Sequence, residues 1–320
     1  MPHRFVILSD THFISPDSAY EVLPWWNRAL EADSAGIGEA IIRAVSRLQP
    51  EFVIHCGDLT SDGDLASYEL ATALLDRLPC PWYAVPGNHD TEFPGIRAAL
   101  AVRYGLPDVQ CHYTRDLAGL RFFFLDVAYW AATDGRVTPS RQTPDARLSL
   151  GPDELDWLER ELAAADRPVI VVSHAPLGFK PDYAVASLPR GARPAGPRTS
   201  IVNLMGDVVG REALRALFRR RPVVRLALAG HWHISDVTQG DGITFCQTPA
   251  LREYPFEFRL ATLDLNRLHI TTVGLDEADA QRLRAQSYVE AWGNAWVAGT
   301  EDDRTFAVEL NPAVARGAAS

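Results

Sequence analysis

Asp, His and Asn recur along this chain in one setting: each group comes directly after a short apolar run. Asp10 and His12 follow "RFVIL". Asp58, in a Gly57-Asp58 turn, follows "FVIHC". Asn88, His89 and Asp90 follow "WYAV" and a Pro-Gly turn. His174 follows "PVIVV", and His231 and His233 follow "VRLALA". Imidazole and carboxylate together favour Zn, Mn or Fe over Ca or Mg, and no CxxC is present to build a structural zinc site. One carboxylate can bridge two cations. Two cations roughly 3.5–4 Å apart can share a hydroxide nucleophile and clamp a phosphoryl oxygen. A DxH pair, a "GD" turn or a lone His after a strand is common by chance. Their joint occurrence, in order and at the same end of each run, points to one site for two divalent or trivalent metal ions.

The elements that would position these residues are legible as alternating patterns. The runs at 4–8, 52–56, 82–85, 121–125, 168–172 and 224–229 have the length and composition of buried strands. Amphipathic stretches at 36–48, 66–78, 151–165 and 210–220 predict helices, the third with Pro152 at its start and Asp153 and Glu154 in its first turn. Strand–helix alternation predicts an α/β fold with largely parallel pairing, in which the ligand crevice lies beyond the carboxyl ends of the strands. From about residue 243 the helices give way to strands joined by short turns, "GITFCQT", "FRLATLDL" and "LHITTVGL", which predict an antiparallel closing segment. "DEADAQRLRAQ" and "RTFAVEL" read as a helix and a strand beyond it. The expected organisation is a catalytic domain over 1–275 and a C-terminal extension over 276–320. Asp62 and Asp64, close behind Asp58, are expected to cap the helix starting near Leu65 rather than to contact a cofactor. Two long connections, 13–35 with Trp25 and Trp26 and 175–206 with Lys180, Arg190, Arg193 and Arg198, have the length of segments that cover sites.

Composition narrows the function classes. The formal charge of −10 disfavours broad binding to nucleic acid or an anionic membrane surface. No apolar run reaches the ~18 residues of a membrane span. Cys56, Cys80, Cys111 and Cys246 are far apart, and the first residues lack a secretory pattern, so a reducing, cytoplasmic setting is expected. The sequence leaves a homo-oligomer open.

The ordered series Asp10-x-His12, Gly57-Asp58, Gly87-Asn88-His89-Asp90, His174 and Gly230-His231-x-His233 resembles the signature of calcineurin-like metallophosphoesterases over residues 4–235. The resemblance implies two β-sheets in a sandwich flanked by helices, with mixed sheets. It also implies hydrolysis of a small phosphoester by a metal-bound hydroxide. Asp10, His12 and His233 would hold the first metal, and Asn88, His174 and His231 the second, with Asp58 between them. His89 would face the substrate as a charge stabiliser or acid, and Asp90 would orient it. The block "GDLTSDGD" lacks the arginine of protein Ser/Thr phosphatases, and Ser61 stands where purple acid phosphatases place tyrosine. The chain is therefore most similar to the branch holding cyclic-nucleotide phosphodiesterases and glycerophosphodiesterases. Phosphomonoesterase and nuclease activities are the alternatives within the family.

Overall fold

Residues 2–18, 33–61, 63–107, 109–178, 208–286 and 298–311 are described by the computed structural model. Its framework is set by the alternation of side chains along apolar strands. In β1 (His3–Leu8), Phe5 and Ile7 face one way while Val6 and Leu8 face the other, and all four are fully buried. A strand with two apolar faces must be covered on both. Here Phe5 and Ile7 enter a central layer between two sheets, and Val6 and Leu8 enter an outer layer beneath helices. Fully burying a side chain of this size stabilises by about 1.5–3 kcal/mol.

The first sheet has the order β15 (Thr305–Glu309), β14 (Arg267–Gly274), β13 (Glu257–Asp264), β1, β2 (Phe52–His55), β3 (Trp82–Ala84). Its parallel half joins β1 to β2 (Phe52–His55) and β3 (Trp82–Ala84), with Ile7 opposite Ile54 and Ile54 opposite Tyr83. Helices α1 (Ser34–Leu48), α2 (Leu65–Leu75) and α3 (Ile96–Tyr104) belong to its outer side, where Ile37, Ile41, Leu74 and Leu100 pack with Val6, Leu8 and Val53. Asp64 caps α2 by accepting from Ser67 N at 2.7 Å, as expected.

The second sheet has the order β11-β12-β10-β9-β5-β4. Its strands are β4 (Tyr113–Leu117), β5 (Leu120–Phe124), β9 (Val169–Val172), β10 (Val224–Ala229), β11 (Asp236–Gly240) and β12 (Ile243–Gln247). Phe122, Phe124, Ile170, Val172, Leu226 and Leu228 fill the central layer from this side. Their neighbours Phe123, Val169, Val171 and Ala227 face outward onto α4 (Glu154–Ala164) and α5 (Arg211–Arg219) through Leu158, Leu162, Leu214 and Leu217. The result is the expected helix–sheet–sheet–helix sandwich with mixed sheets. A third, three-stranded sheet of β6 (Tyr129–Ala131), β7 (Val137–Thr138) and β8 (Arg147–Ser149) has the order β7-β6-β8.

Three details differ from the sequence reading. Strand β12 is not part of a purely antiparallel segment: it lies parallel to β10, with Ala227 opposite Phe245, and antiparallel to β11. The antiparallel continuation begins with β13 (Glu257–Asp264), which pairs with β1 in the other sheet and turns into β14 (Arg267–Gly274). Residues 248–256 therefore cross from one sheet to the other. Helix α4 starts later than Pro152. Asp153 is left-handed at φ 59°, and Glu154 turns inward so that its carboxylate accepts from Asp126 N and Gly151 N at 2.7 and 3.0 Å.

Near the C-terminus come α6 (Glu277–Gln286), α7 (Glu301–Arg304) and β15 (Thr305–Glu309), which pairs with β14. The fully buried Arg259 of β13 donates to Asp303 O at 2.8 Å, to Ser235 Oγ at 3.0 Å and to Gln247 O. Asp303 Oδ1 in turn accepts from Val237 N at 2.9 Å. This late segment thus braces the stretch that directly follows His233. No helix among the described residues is long and apolar enough to cross a membrane. Trp25, Trp26, Asp62, Lys180, Arg190, Arg193 and Arg198 lie outside the described residues.

Candidate metal centre

The parallel strands β1, β2 and β3 of one sheet and β9 and β10 of the other end on loops that carry the candidate ligands. These loops are laced together by backbone hydrogen bonds. Asp10 N donates to Gly57 O at 3.1 Å, His12 N to Asp58 O at 3.0 Å, and Gly230 N to His174 O at 2.9 Å. Two glycines permit the approach. A Cβ on Gly87 would collide with the Asp58 carboxylate, and one on Gly230 with the side chains of Ser9 and Asp10. Asp10, His12, Asp58, His231 and His233 all have left-handed backbones, with φ from 45° to 75°. Such conformations are uncommon outside glycine and persist where the surrounding structure over-determines them.

The structure brings all the sequence-derived candidates to one place. Asp10, His12 and His233 form one group and Asp58, His174 and His231 another, with ligand atoms within 4.8 Å of one another in each. Asn88 Oδ1 lies 2.9 Å from His174 Nε2. Asp58 stands between the groups, its Oδ2 3.3 Å from His174 Nε2 and 3.6 Å from His12 Nε2. All are buried or nearly so.

The donor set fits cations. His12 Nε2 and His233 Nε2 approach to 3.2 Å, and His231 Nδ1 and His174 Nε2 to 3.1 Å. Two neutral imidazole lone pairs facing each other repel unless a proton or a metal lies between them. The buried carboxylates ask for the same positive charge. Burial opposes a proton on His174 and His233, yet Asp58 and Asp10 raise His174 to about 9, and Glu253 and Asp10 raise His233 to about 10. Burial likewise opposes ionisation of Asp58, and the surrounding histidines, His174 foremost, hold it well below the usual carboxylate range. Asp10, His12 and His233 would hold one ion, Asn88, His174 and His231 a second, and Asp58 would serve both.

His89 is also at the centre, in a group with His12 and Asp58, its ring edge-on to His12 at 4.9 Å between centroids. Its Nδ1 lies 3.0 Å from Ser61 O, so a proton on Nδ1 is donated to that carbonyl. The expected support from Asp90 is not what the structure shows. Asp90 accepts from Gly87 N, Leu59 N and Thr60 N at 2.9, 3.2 and 2.9 Å, and from Thr60 Oγ1 at 2.9 Å. Successive residues in this tight turn point in different directions, so the carboxylate ties the Asn88–His89 loop to the Asp58 loop while a backbone carbonyl orients the His89 ring. Asp90→Asn should then destabilise the fold by about 1–3 kcal/mol, because an amide NH2 cannot accept from backbone N–H groups. Denaturant unfolding of the metal-stripped protein measures this. Unchanged stability with a large loss of kcat would return Asp90 to the role of orienting His89.

Two neighbours escaped the sequence reading. Glu253 Oε1 lies 2.8 Å from His233 Nδ1, and Arg252 donates to His12 O at 3.1 Å and Ser61 Oγ at 2.9 Å. Both lie on the crossing between β12 and β13, whose path depends on which sheet each strand joins. The available signal was local: two charged residues in "TPALREYPF", a stretch otherwise poor in charge. His55, Cys111 and His112 are outside the ligand groups. His55 is a buried neutral imidazole, pushed down to about 4 by burial, that meets Thr11 Oγ1 at 3.0 Å.

Known proteins resemble this chain in sequence and in fold. A probable cyclic nucleotide phosphodiesterase of Synechococcus is 27% identical over 212 residues, 66% of this chain and 69% of its own. The 3′,5′-cyclic adenosine monophosphate phosphodiesterase CpdA of Pseudomonas aeruginosa is 28% identical over 234 residues, 71% of this chain and 68% of its own. A dimetal phosphatase from Danio rerio has the same fold, with a TM-score of 0.60 at 18% identity, over 85% of this chain and 96% of that one. The family model for calcineurin-like phosphoesterases matches residues 3–235, so the strand-end Asp, Asn and His residues lie within a matched domain, and the chain belongs to the calcineurin-like phosphoesterase family.

Proposed function

We propose that this protein is a dinuclear metal-dependent phosphodiesterase acting on small diesters such as cyclic nucleotides. The observation that carries this reading is Asp58, buried between two groups of ligand atoms. When bound, a pair of Mn, Fe or Zn ions activates water and neutralises charge on the phosphoryl group. The residues of the chain do the rest. Asp10, His12 and His233 hold one ion and Asn88, His174 and His231 the other. Asn88 supplies a neutral oxygen, which keeps net positive charge at the centre for an anionic diester. The His89 Nδ1–H, held by Ser61 O, leaves Nε2 to carry a proton toward the leaving oxygen of the ester. The diester preference is supported by the names of the two relatives, and the small substrate by a net charge of −10, which does not favour a polyanion. The described cysteines are all unpaired, which supports a reducing cytoplasmic setting.

The test is a comparison of kcat/KM for bis(4-nitrophenyl) phosphate, 4-nitrophenyl phosphate and cyclic AMP with the Mn-loaded enzyme. The reading expects both diesters to be turned over faster than the monoester. Preferential hydrolysis of the monoester would replace it with a nucleotidase-like phosphomonoesterase.

A further inference from the structure

We propose that Glu253 is a positioning residue that sets the cation affinity of the Asp10–His12–His233 group through the His233 ring. This rests on the metal-centre reading above and adds an element to it. Glu253 is 2% exposed, and its Oε1 lies 2.8 Å from His233 Nδ1. The other nitrogen of that ring faces the ligand cluster, with Nε2 3.3 Å from Asp10 Oδ1 and 3.2 Å from His12 Nε2. The ring is therefore held from behind by a carboxylate and presents its lone pair forward. A carboxylate in this position fixes the tautomer and raises the basicity of the ligating nitrogen.

His174 of the second group is held differently. His174 also faces the cluster through Nε2, but its Nδ1 meets the neutral carbonyl of Cys56 at 2.8 Å. His231 turns Nδ1 itself toward His174.

Glu253 is fixed in place by its own segment. Leu251 N donates to Ser9 O at 3.3 Å, and Glu253 N to Ala250 O at 3.1 Å. Arg252 reaches the His12 carbonyl at 3.1 Å. The crossing segment therefore rests on the same β1 loop that carries Asp10 and His12. The second oxygen of Glu253, Oε2, is buried with no hydrogen-bond partner among the described residues. A buried carboxylate left partly unpaired is unfavourable, and a cation held by His233 offsets its charge through the ring.

The experiment compares wild type, Glu253→Gln and Glu253→Ala after chelation, using calorimetric titration with Mn²⁺. Wild type should show two binding events. Glu253→Ala should weaken one of them by about 10–100-fold and leave the other unchanged. Glu253→Gln should weaken the same event less, because its amide oxygen still accepts from Nδ1–H. On a His12→Ala background, which removes a ligand of the first group, neither substitution should alter the remaining event. Circular dichroism and Tm of the stripped proteins check folding, and Glu253→Gln carries the test if Glu253→Ala does not fold. Identical affinities in wild type and both variants, or equal weakening of both events, would overturn the role of Glu253. A wild type that binds no Mn²⁺ would instead remove the metal-centre reading, and this inference with it.

Discussion

Asp58→Ala is expected to abolish binding of both cations at once, and with it hydrolysis. Asp58 sits within 3.3 Å of His174 Nε2 and 3.6 Å of His12 Nε2, so it belongs to both halves of the centre. Its other oxygen accepts from His89 N at 2.9 Å, so the substitution also loosens the loop that carries Asn88. The activity loss should exceed the about 10²–10⁴-fold typical of a missing acid or base, because the ions and the loop are affected together. Elemental analysis after desalting measures the metal content. Asp58→Asn provides a control that keeps the side-chain shape and the acceptor for His89 N. Retention of one tightly bound ion in Asp58→Ala would show that the carboxylate serves a single group.

His89→Ala is expected to do the opposite: to keep the ions and lower kcat by about 10²–10⁴-fold. His89 lies close enough to His12 and Asp58 to share a ligand group with them, so the substitution separates two roles that the geometry places side by side. A proton carrier acts on the leaving group, and its removal should matter most for poor leaving groups. The ratio of wild-type to His89→Ala kcat should therefore be larger for cyclic AMP, which leaves an alkoxide, than for bis(4-nitrophenyl) phosphate, which leaves a stabilised phenolate. A variant that loses an ion while its remaining turnover shows no such leaving-group dependence would make His89 a ligand.

The strands and the ligand loops were legible because they obey the strongest sequence signal. "RFVIL", "FVIHC", "PVIVV" and "VRLALA" are buried on both faces, so they read as continuous apolar runs. Each candidate ligand follows its run by a few residues, which leaves little freedom in where it can go. Helix Ile96–Tyr104 was missed because its pattern is weak. It begins after Gly95 without a side-chain cap, and it exposes Val102 almost completely. The small sheet uses strands of two or three residues, too short for an alternation to register. The family resemblance places Asp90 behind His89, whereas in this tight turn the two adjacent side chains diverge and Asp90 accepts from Leu59 N and Thr60 N. Glu253 could not be found from spacing at all. It reaches His233 only because β12 joins one sheet and β13 the other, a consequence of long-range pairing.

A centre built around Asp58 needs two ions, and activity against metal equivalents tests that need. Chelated protein is titrated with Mn²⁺ while hydrolysis of bis(4-nitrophenyl) phosphate is followed. Activity should be low at the first equivalent per chain, rise through the second, and reach a plateau at about two. Full activity at one equivalent, or hydrolysis that survives complete removal of metal, would contradict it.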